Sequence, residues 1–340
     1  MCRGRLFWAV GLALACLAPL AADDHLLFVE VQGIGGYSFR FKELAYYSQN
    51  ELETMQKNSL GFDYIQRFAT AKRDVAILSL QARLALDVLS PLARQTFGIQ
   101  KQVRPVLQIY NAFLQFKTRP FDIWIGHNRP HFGLASKFDQ HAHLLQPLVM
   151  NGFSFDRDWG IGLEHDTGGG DFGLSLTTGS GMALRLRRNW LACGRISQGV
   201  LEKDNFNIGL SFGVGKILDV MGNYLLSDTL LPIRMAELDA TWLFNNWENR
   251  LELALGDREL GPVLAVNWRL GLNLLRENRL KLEVQPCLLR DEGRSNLNFS
   301  AGLTFLANAD LTLRAMYLYD RRYRDSQIVF QVYFYKGLPI

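Results

Sequence analysis

The sequence predicts an all-β fold, a transmembrane antiparallel β-barrel of about sixteen strands with twelve to fourteen as the alternative. Three observations predict it. Short segments that alternate apolar and polar residues recur from about Leu26 to the C-terminus, their connections are alternately long and short, and a separate apolar module precedes them. A barrel strand shows lipid on one face and the lumen on the other, so its side chains alternate with period two. Its two ends meet different compartments, which sorts the loops by side. A mean hydropathy of -0.01 fits this, because only every second strand residue meets lipid.

The N-terminal module is a secretory signal. Arg3 and Arg5 precede an apolar run over 6–20, and Ala21-Ala22 stands before Asp23-Asp24, which places cleavage after Ala22. The run is shorter than the roughly 20 apolar residues that span a bilayer as a helix. The expected organisation is therefore a signal peptide at 1–22 and one barrel domain at 23–340, with no Pro/Ser-rich linker dividing it. Losing Arg3 and Arg5 takes the formal charge from +4 to +2, which argues against nucleic acid as a partner. Cys2 and Cys16 leave with the signal. Cys193 and Cys287 remain as two small unpaired residues, expected on separate strands facing the lumen.

In order, strands are expected near 26–41, 60–69, 73–88, 103–117, 120–132, 148–164, 170–178, 185–197, 205–216, 234–244, 248–257, 261–274, 279–289, 295–306, 310–320 and 325–337. The connections after even-numbered strands are short and rich in turn formers, among them Thr118-Arg119-Pro120, Gly168-Gly169-Gly170, Asn245-Asn246 and Arg276-Glu277-Asn278, with only the stretch around Glu202-Lys203-Asp204 somewhat longer. The long connections, at 42–59, 89–102, 133–147 and 217–233, follow odd-numbered strands. An even strand number leaves both termini on the periplasmic side and makes the long loops extracellular. The polar stretch 51–57 has helical propensity and is expected as a helical turn or an inward fold of the first loop.

Register names the two faces. In 267–274, Trp268, Leu270, Leu272 and Leu274 point one way and Asn267, Arg269, Gly271 and Asn273 the other; Leu280, Leu282 and Val284 oppose Lys281, Glu283 and Gln285 in the next segment. A cation on the lipid face costs roughly 2–4 kcal/mol at the bilayer midplane, so the charged face is the lumen. The expected pore-lining residues are Arg83, Asn111, Gln115, Arg195, Arg250, Glu252, Arg269, Lys281, Glu283 and Arg314. Six of these are cations and two are acids, a lumen leaning towards anions unless Asp156, Asp158, Glu164, Glu237 and Asp239 compensate. Gly160, Gly162, Gly173, Gly209, Gly213, Gly271 and Gly302 share the inward register and would leave the space of a water channel. Trp159, Trp190, Trp242, Trp247, Trp268, Tyr317, Tyr319, Phe330 and Phe334 are expected to form the aromatic belts.

The last strand, 328–335, alternates and ends in aromatics, and it resembles the closing strand of outer-membrane barrels that the barrel-insertion machinery reads. Here Lys336-Gly337-Leu338-Pro339-Ile340 follows it. The segment Gly126-His127-Asn128-Arg129-Pro130-His131-Phe132-Gly133-Leu134 resembles the strand end from which phosphate-selective and related porins enter their third loop. On these residues the chain resembles a divergent porin of the Gram-negative outer membrane. The resemblance implies a narrowing loop at 133–147. It does not carry over the lysine-rich phosphate sites, because Lys137 is the only lysine there.

His127, His131, His141 and His143 lie close in sequence, but no cysteine or paired carboxylate completes a metal-ligand spacing, so neither metal nor cofactor is expected. Asp156, Asp158, Glu164, His165 and Asp166 form a polar stretch near a turn, and a hydrolase built on His165 and Asp158 is the least favoured reading. The expected function is a passive bacterial outer-membrane channel for small hydrophilic solutes, in contact with outer-membrane lipid and without enzymatic activity. The alternative is a closed or plugged barrel with a structural or adhesin role. Porins are commonly trimeric, so homo-oligomerisation stays open.

Overall fold

The computed structural model describes residues 21–45, 57–70, 73–88, 103–138, 143–145, 147–148, 156–221, 224–258, 261–291, 294–322 and 324–339. The strands are β1 (Ala21–Ser38), β2 (Glu43–Ala45), β3 (Asn58–Thr70), β4 (Arg73–Val88), β5 (Val103–Lys117), β6 (Asp122–Asn128), β7 (Asp158–Asp166), β8 (Asp171–Thr177), β9 (Trp190–Gln198), β10 (Phe206–Met221), β11 (Tyr224–Phe244), β12 (Trp247–Arg258), β13 (Gly261–Leu274), β14 (Leu280–Asp291), β15 (Arg294–Leu306), β16 (Leu311–Asp320) and β17 (Asp325–Leu338). From β3 onward each strand pairs antiparallel with the next, and β1 pairs with both β3 and β17. Sixteen strands thus close into a barrel, leaving no free edge to pair with another chain. The three-residue β2 folds back on the outer end of β1, pairing Leu44 with Tyr37.

Burial follows the expected register. Along β13, Asn267 and Arg269 are 2% and 5% exposed while Trp268 between them is 42% exposed. Leu60, Leu80, Leu84, Leu107, Leu210, Leu238 and Leu255 are likewise exposed, which for aliphatic side chains on a regular strand is the signature of a lipid-facing wall. Phe206 faces Trp242 and Phe244 faces Trp247 across their ladders at the short-turn end. Trp190, Tyr317 and Tyr319 lie exposed towards the other end. Trp159 departs from the belt: it is half-buried, its indole N–H donates to Met182 O at 3.1 Å, and its ring lies 4.8 Å from that of His127.

Short turns close one end of the barrel as expected. Asn245, with φ 51°, makes a two-residue turn between Phe244 and Trp247, a geometry asparagine tolerates. Gly168 to Gly170 is a turn, with Thr167 N–H donating to Gly170 O at 3.0 Å.

Two connections differ from expectation. The predicted outer loop at 217–233 is largely ladder: β10 continues to Met221 and β11 starts at Tyr224, pairing Ile217 with Leu231 and, past a bulge, Met221 with Tyr224. The strand expected from residue 148 begins at Asp158, because Leu148 lies buried inside the barrel. The connections at 46–56 and 89–102 lie outside the described residues, and with them most of the expected helical turn at 51–57.

Candidate functional site

The interior is organised by the connection from β6 to β7, residues 129–157. It leaves the wall at Asn128 and turns through Gly133, whose φ of 60° suits a residue without a Cβ. Its course inside the barrel is fixed by contacts with opposite walls. Phe132 and Leu148 pack with Leu191, Ile233, Met235, Val263 and both cysteines of the described barrel, Cys193 and Cys287. Leu144 and Leu145 pack with Ile34, Met316, Leu318 and Val329 from β1, β16 and β17. Polar ties add direction: His131 N–H donates to Ser175 Oγ and Gly133 N–H to Ser211 Oγ, both at 3.0 Å, while Arg269 Nη2 donates to Leu145 O at 2.5 Å. The described residues of the loop expected at 133–147, namely 133–138, 143–145 and 147, are thus found in the lumen.

This packing corrects the reading of the inward glycines. They do not leave open water space; they are cradles for side chains. A Cβ on Gly162 would meet the Trp124 indole, one on Gly173 the His131 ring, one on Gly209 the Arg195 guanidinium, and one on Gly302 would come within 2.9 Å of Leu145 Cδ1.

The predicted pore-lining residues all point inward but divide into three groups. Arg83 is 1% exposed, with Nη1 3.7 Å from Glu30 Oε1 and Cζ 4.3 Å from the Tyr110 ring centroid. Arg157 lies 4.2 Å from the same centroid and donates to Asn111 Oδ1 at 2.7 Å, and Asn111 in turn donates to Gln81 at 2.9 Å. Tyr110 Oη donates to Asp156 at 2.6 Å. Parity alone misses Tyr110. A register shift pairs Gln81 with Asn111 and Ala82 with Ile109, so Tyr110 is the extra residue of a bulge that turns its ring to the inner side. Gln115 donates to Glu164 further down this wall.

In the second group, Arg195 donates to Asp239 at 2.6 and 3.1 Å, to Asp171 at 3.3 Å and to Asn207 at 2.8 Å; Lys137 of the loop reaches Asp171 at 2.9 Å. Asp239 does offset Arg195, as the sequence allowed. Glu252, 2% exposed, accepts Leu148 N–H at 3.1 Å and Asn267 Nδ2 at 2.8 Å.

In the third, Arg250, Arg269, Lys281 and Arg314 form an arc along β12 to β16. Glu248 takes Arg250 at 2.6 Å and Lys281 at 2.9 Å, Glu283 takes Lys281 at 3.1 Å, and Arg314 donates to Gln331 at 3.0 Å. The loop's Phe138 ring lies 4.1 Å under Arg250. His143 of the loop meets this arc. Burial first, then Arg314, Arg269, Arg250 and Lys281, hold its imidazole well below the ordinary range, so it stays neutral. His131 is pushed down to about 4 by burial and then by Lys137. Trp124 Nε1 donates to its Nε2 at 3.3 Å, a bond that a neutral ring accepts. His141 lies outside the described residues. Among those described, no group of three His, Cys, Asp or Glu side chains converges as a metal site.

The hydrolase constellation does not assemble. Asp158 accepts N–H groups of Trp159, Gly179, Ser180 and Gly181 and the Thr178 hydroxyl, a cap for the connection between β8 and β9. His165 sits seven residues along the same strand, about 23 Å away at roughly 3.3 Å per residue, and contacts Pro120 O at 2.6 Å.

No family model matches the chain, and no curated protein matches it. Solved structures do. A loop-deletion mutant of OmpT, an outer membrane protein of Vibrio cholerae, shares 9% identity over 93% of this chain and 100% of its own, with TM-score 0.64. Salmonella typhi OmpF in complex with daunomycin shares 11% over 93% and 98%, with TM-score 0.65. An anion-selective porin from Comamonas acidovorans shares 11% over 93% and 99%, with TM-score 0.60. The likeness is one of fold, and the fold is that of the outer-membrane porins of Gram-negative bacteria.

Proposed function

We propose that the protein is a passive channel of the bacterial outer membrane, passing small hydrophilic solutes with a preference for anions and carrying out no chemical step. The observation that supports it best is the loop folded inside the barrel against a basic arc. In that arc the side chains of Arg250 and Lys281 keep 17% and 19% exposure, against 13% and 8% for Glu248 and Glu283. Accessible charge on this wall therefore leans positive, which lowers the electrostatic barrier for negative solutes. Asp158 is committed to its capping role and is remote from His165, which speaks against hydrolysis. The lipid partner follows from the exposed aliphatic wall, and delivery there requires the insertion machinery. One structural neighbour is described in a trimer form; self-association of this chain would use the same apolar exterior.

The test is recording from pure, folded protein in planar bilayers under a salt gradient. Discrete conductance steps with an anion-selective reversal potential are expected, and Arg250→Glu with Lys281→Glu should move that potential towards cations. A folded protein without steps overturns the reading. It would favour a plugged structural barrel, for which there is a specific observation: Glu30, Gln81, Arg83, His127, Arg195 and Asp239 are each no more than 2% exposed.

A further inference from the structure

Among the described residues, two carboxylates in the inner wall form no ion pair of their own. Glu237 on β11 and Glu252 on β12 are 1% and 2% exposed and stand within hydrogen-bonding reach of each other. The ladder puts Asp239, Glu252 and Asn267 directly side by side on adjacent strands, which sets their Cβ atoms roughly 5 Å apart. Asp239 is matched by Arg195. Arg269, the cation on the other side, is engaged with Gln285, Leu145 O and Glu283. Ionised together, the two carboxylates would hold a charge of −2 in a buried place, where each uncompensated ion costs several kcal/mol.

The oxygens are disposed accordingly. Glu252 Oε2 is used by Leu148 N–H and Asn267 Nδ2, but Oε1 of Glu252, Oε1 of Glu237 and Oδ1 of Asn267 have no donor. Asn267 is 2% exposed and held against Glu252 through Nδ2, so its unsatisfied amide oxygen is a third buried oxygen beside the two carboxylates. A single shared proton would satisfy the two carboxylates as a pair yet leave one negative charge and the amide oxygen unmatched. A hard divalent cation matches both, because it takes oxygen ligands only and carries the opposite charge.

We propose that Glu237, Glu252 and Asn267 form a divalent-cation site, suited to calcium, beneath the folded-in loop. Calcium tolerates irregular coordination by carboxylates, amide oxygens and water better than magnesium does. The site would also clamp the loop. Gly133 crosses directly over the Glu237 carboxylate, where any Cβ would collide with it, and Leu148 is tied to Glu252. Both ends of the loop's inner course thus rest on the ion's ligands. The inference stands on where the loop packs and does not require conduction.

The test uses the mature chain refolded from inclusion bodies into detergent, free of lipopolysaccharide, which itself binds calcium. After chelation, calcium binding is measured by calorimetry at pH 7.5. Wild type should bind one calcium per chain more than the Glu237→Gln/Glu252→Gln variant. The Gln pair is neutral and should fold, as heat-modifiable gel migration will show. Asn267→Leu, which keeps both carboxylates, should weaken that site at least tenfold, and Asp74→Asn at the remote start of β4 should leave it unchanged. No difference between wild type and the double variant, or undiminished binding in Asn267→Leu, overturns the proposal in favour of a proton-sharing pair. Because the readout is binding, a barrel that does not conduct leaves the result interpretable.

Discussion

Replacing Leu144 and Leu145 together by alanine isolates what holds the loop against the β1, β16 and β17 wall. Both side chains are 3% exposed and pack with Ile34, Met316, Leu318 and Val329. Each truncation removes roughly 70–80 Å² of apolar contact, or about 2 kcal/mol at 25 cal/mol per Å², and residual cavities raise a Leu→Ala loss to about 2–5 kcal/mol. The pair therefore costs the docked loop about 4 kcal/mol or more. What remains on that side is chiefly the charge-assisted bond from Arg269 to Leu145 O, worth about 1.5–3 kcal/mol. No charge changes, so ion selectivity should stay as it is while the loop fluctuates. In planar bilayers the variant should show larger mean conductance and added open-channel noise, and in detergent a new protease cut within 133–148. Unchanged noise, conductance and protease resistance in a variant that migrates as folded would refute the anchoring argument.

Two further outcomes follow from the same structure. His131 is held at about 4 in the docked loop against an ordinary value near 6.5, so a released loop binds the proton first and docking is strongest above about 6.5 and weakens as pH falls towards 4. The window is worth about 3 kcal/mol; protease sensitivity of the loop should rise between pH 7 and 4.5, and His131→Gln should flatten that rise, whereas a flat wild-type profile would count against it. Leu210, 56% exposed and four residues into β10 from the aromatic pair Phe206 and Trp242, should cost roughly 2–4 kcal/mol when changed to arginine. Equilibrium refolding into vesicles, with Leu210→Ala as reference, measures this, and a cost below 0.5 kcal/mol would mean the residue does not face lipid.

How much of this could be read from the sequence depends on what imposed the pattern. Strands at 73–88, 103–117 and 261–274 match the structure residue for residue, since lipid on one side and the lumen on the other dictate alternation. Beyond the bilayer nothing enforces it. The apolar run of Ile217, Leu218, Leu225 and Leu230, with Pro232, reads as loop although it is paired strand. The same holds where side chains turn inward by irregularity, as Tyr110 does at a bulge that no local signal marks. Inward parity correctly places Arg195, Arg250, Arg269 and Lys281. Their partners Asp171 and Glu248 come from the same or nearby strands and Leu145 O from the inserted loop, so which carboxylate or carbonyl each meets is set by strand pairing and by the loop's course. Gly173 and Gly302 read as vacant volume because His131 and Leu145, which occupy it, are set by the course of a loop that alternation does not encode, whereas the space at Gly162 is filled by Trp124 from the paired position on β6.

The account depends most on that loop lying inside a barrel whose β15 residues alternate between lumen and lipid. A Cβ at Gly302 falls 3.6 Å from Leu145 Cγ, the position a cysteine sulfur at residue 145 would take, so a sulfur on residue 302 is within reach of it. The variant Leu145→Cys with Gly302→Cys, oxidised after folding, should cross-link in nearly every molecule, while Leu145→Cys with Leu303→Cys, whose partner is 40% exposed on the outer wall, should not. Failure of the first pair to cross-link in folded protein, or equal cross-linking of the second, would contradict the structure described.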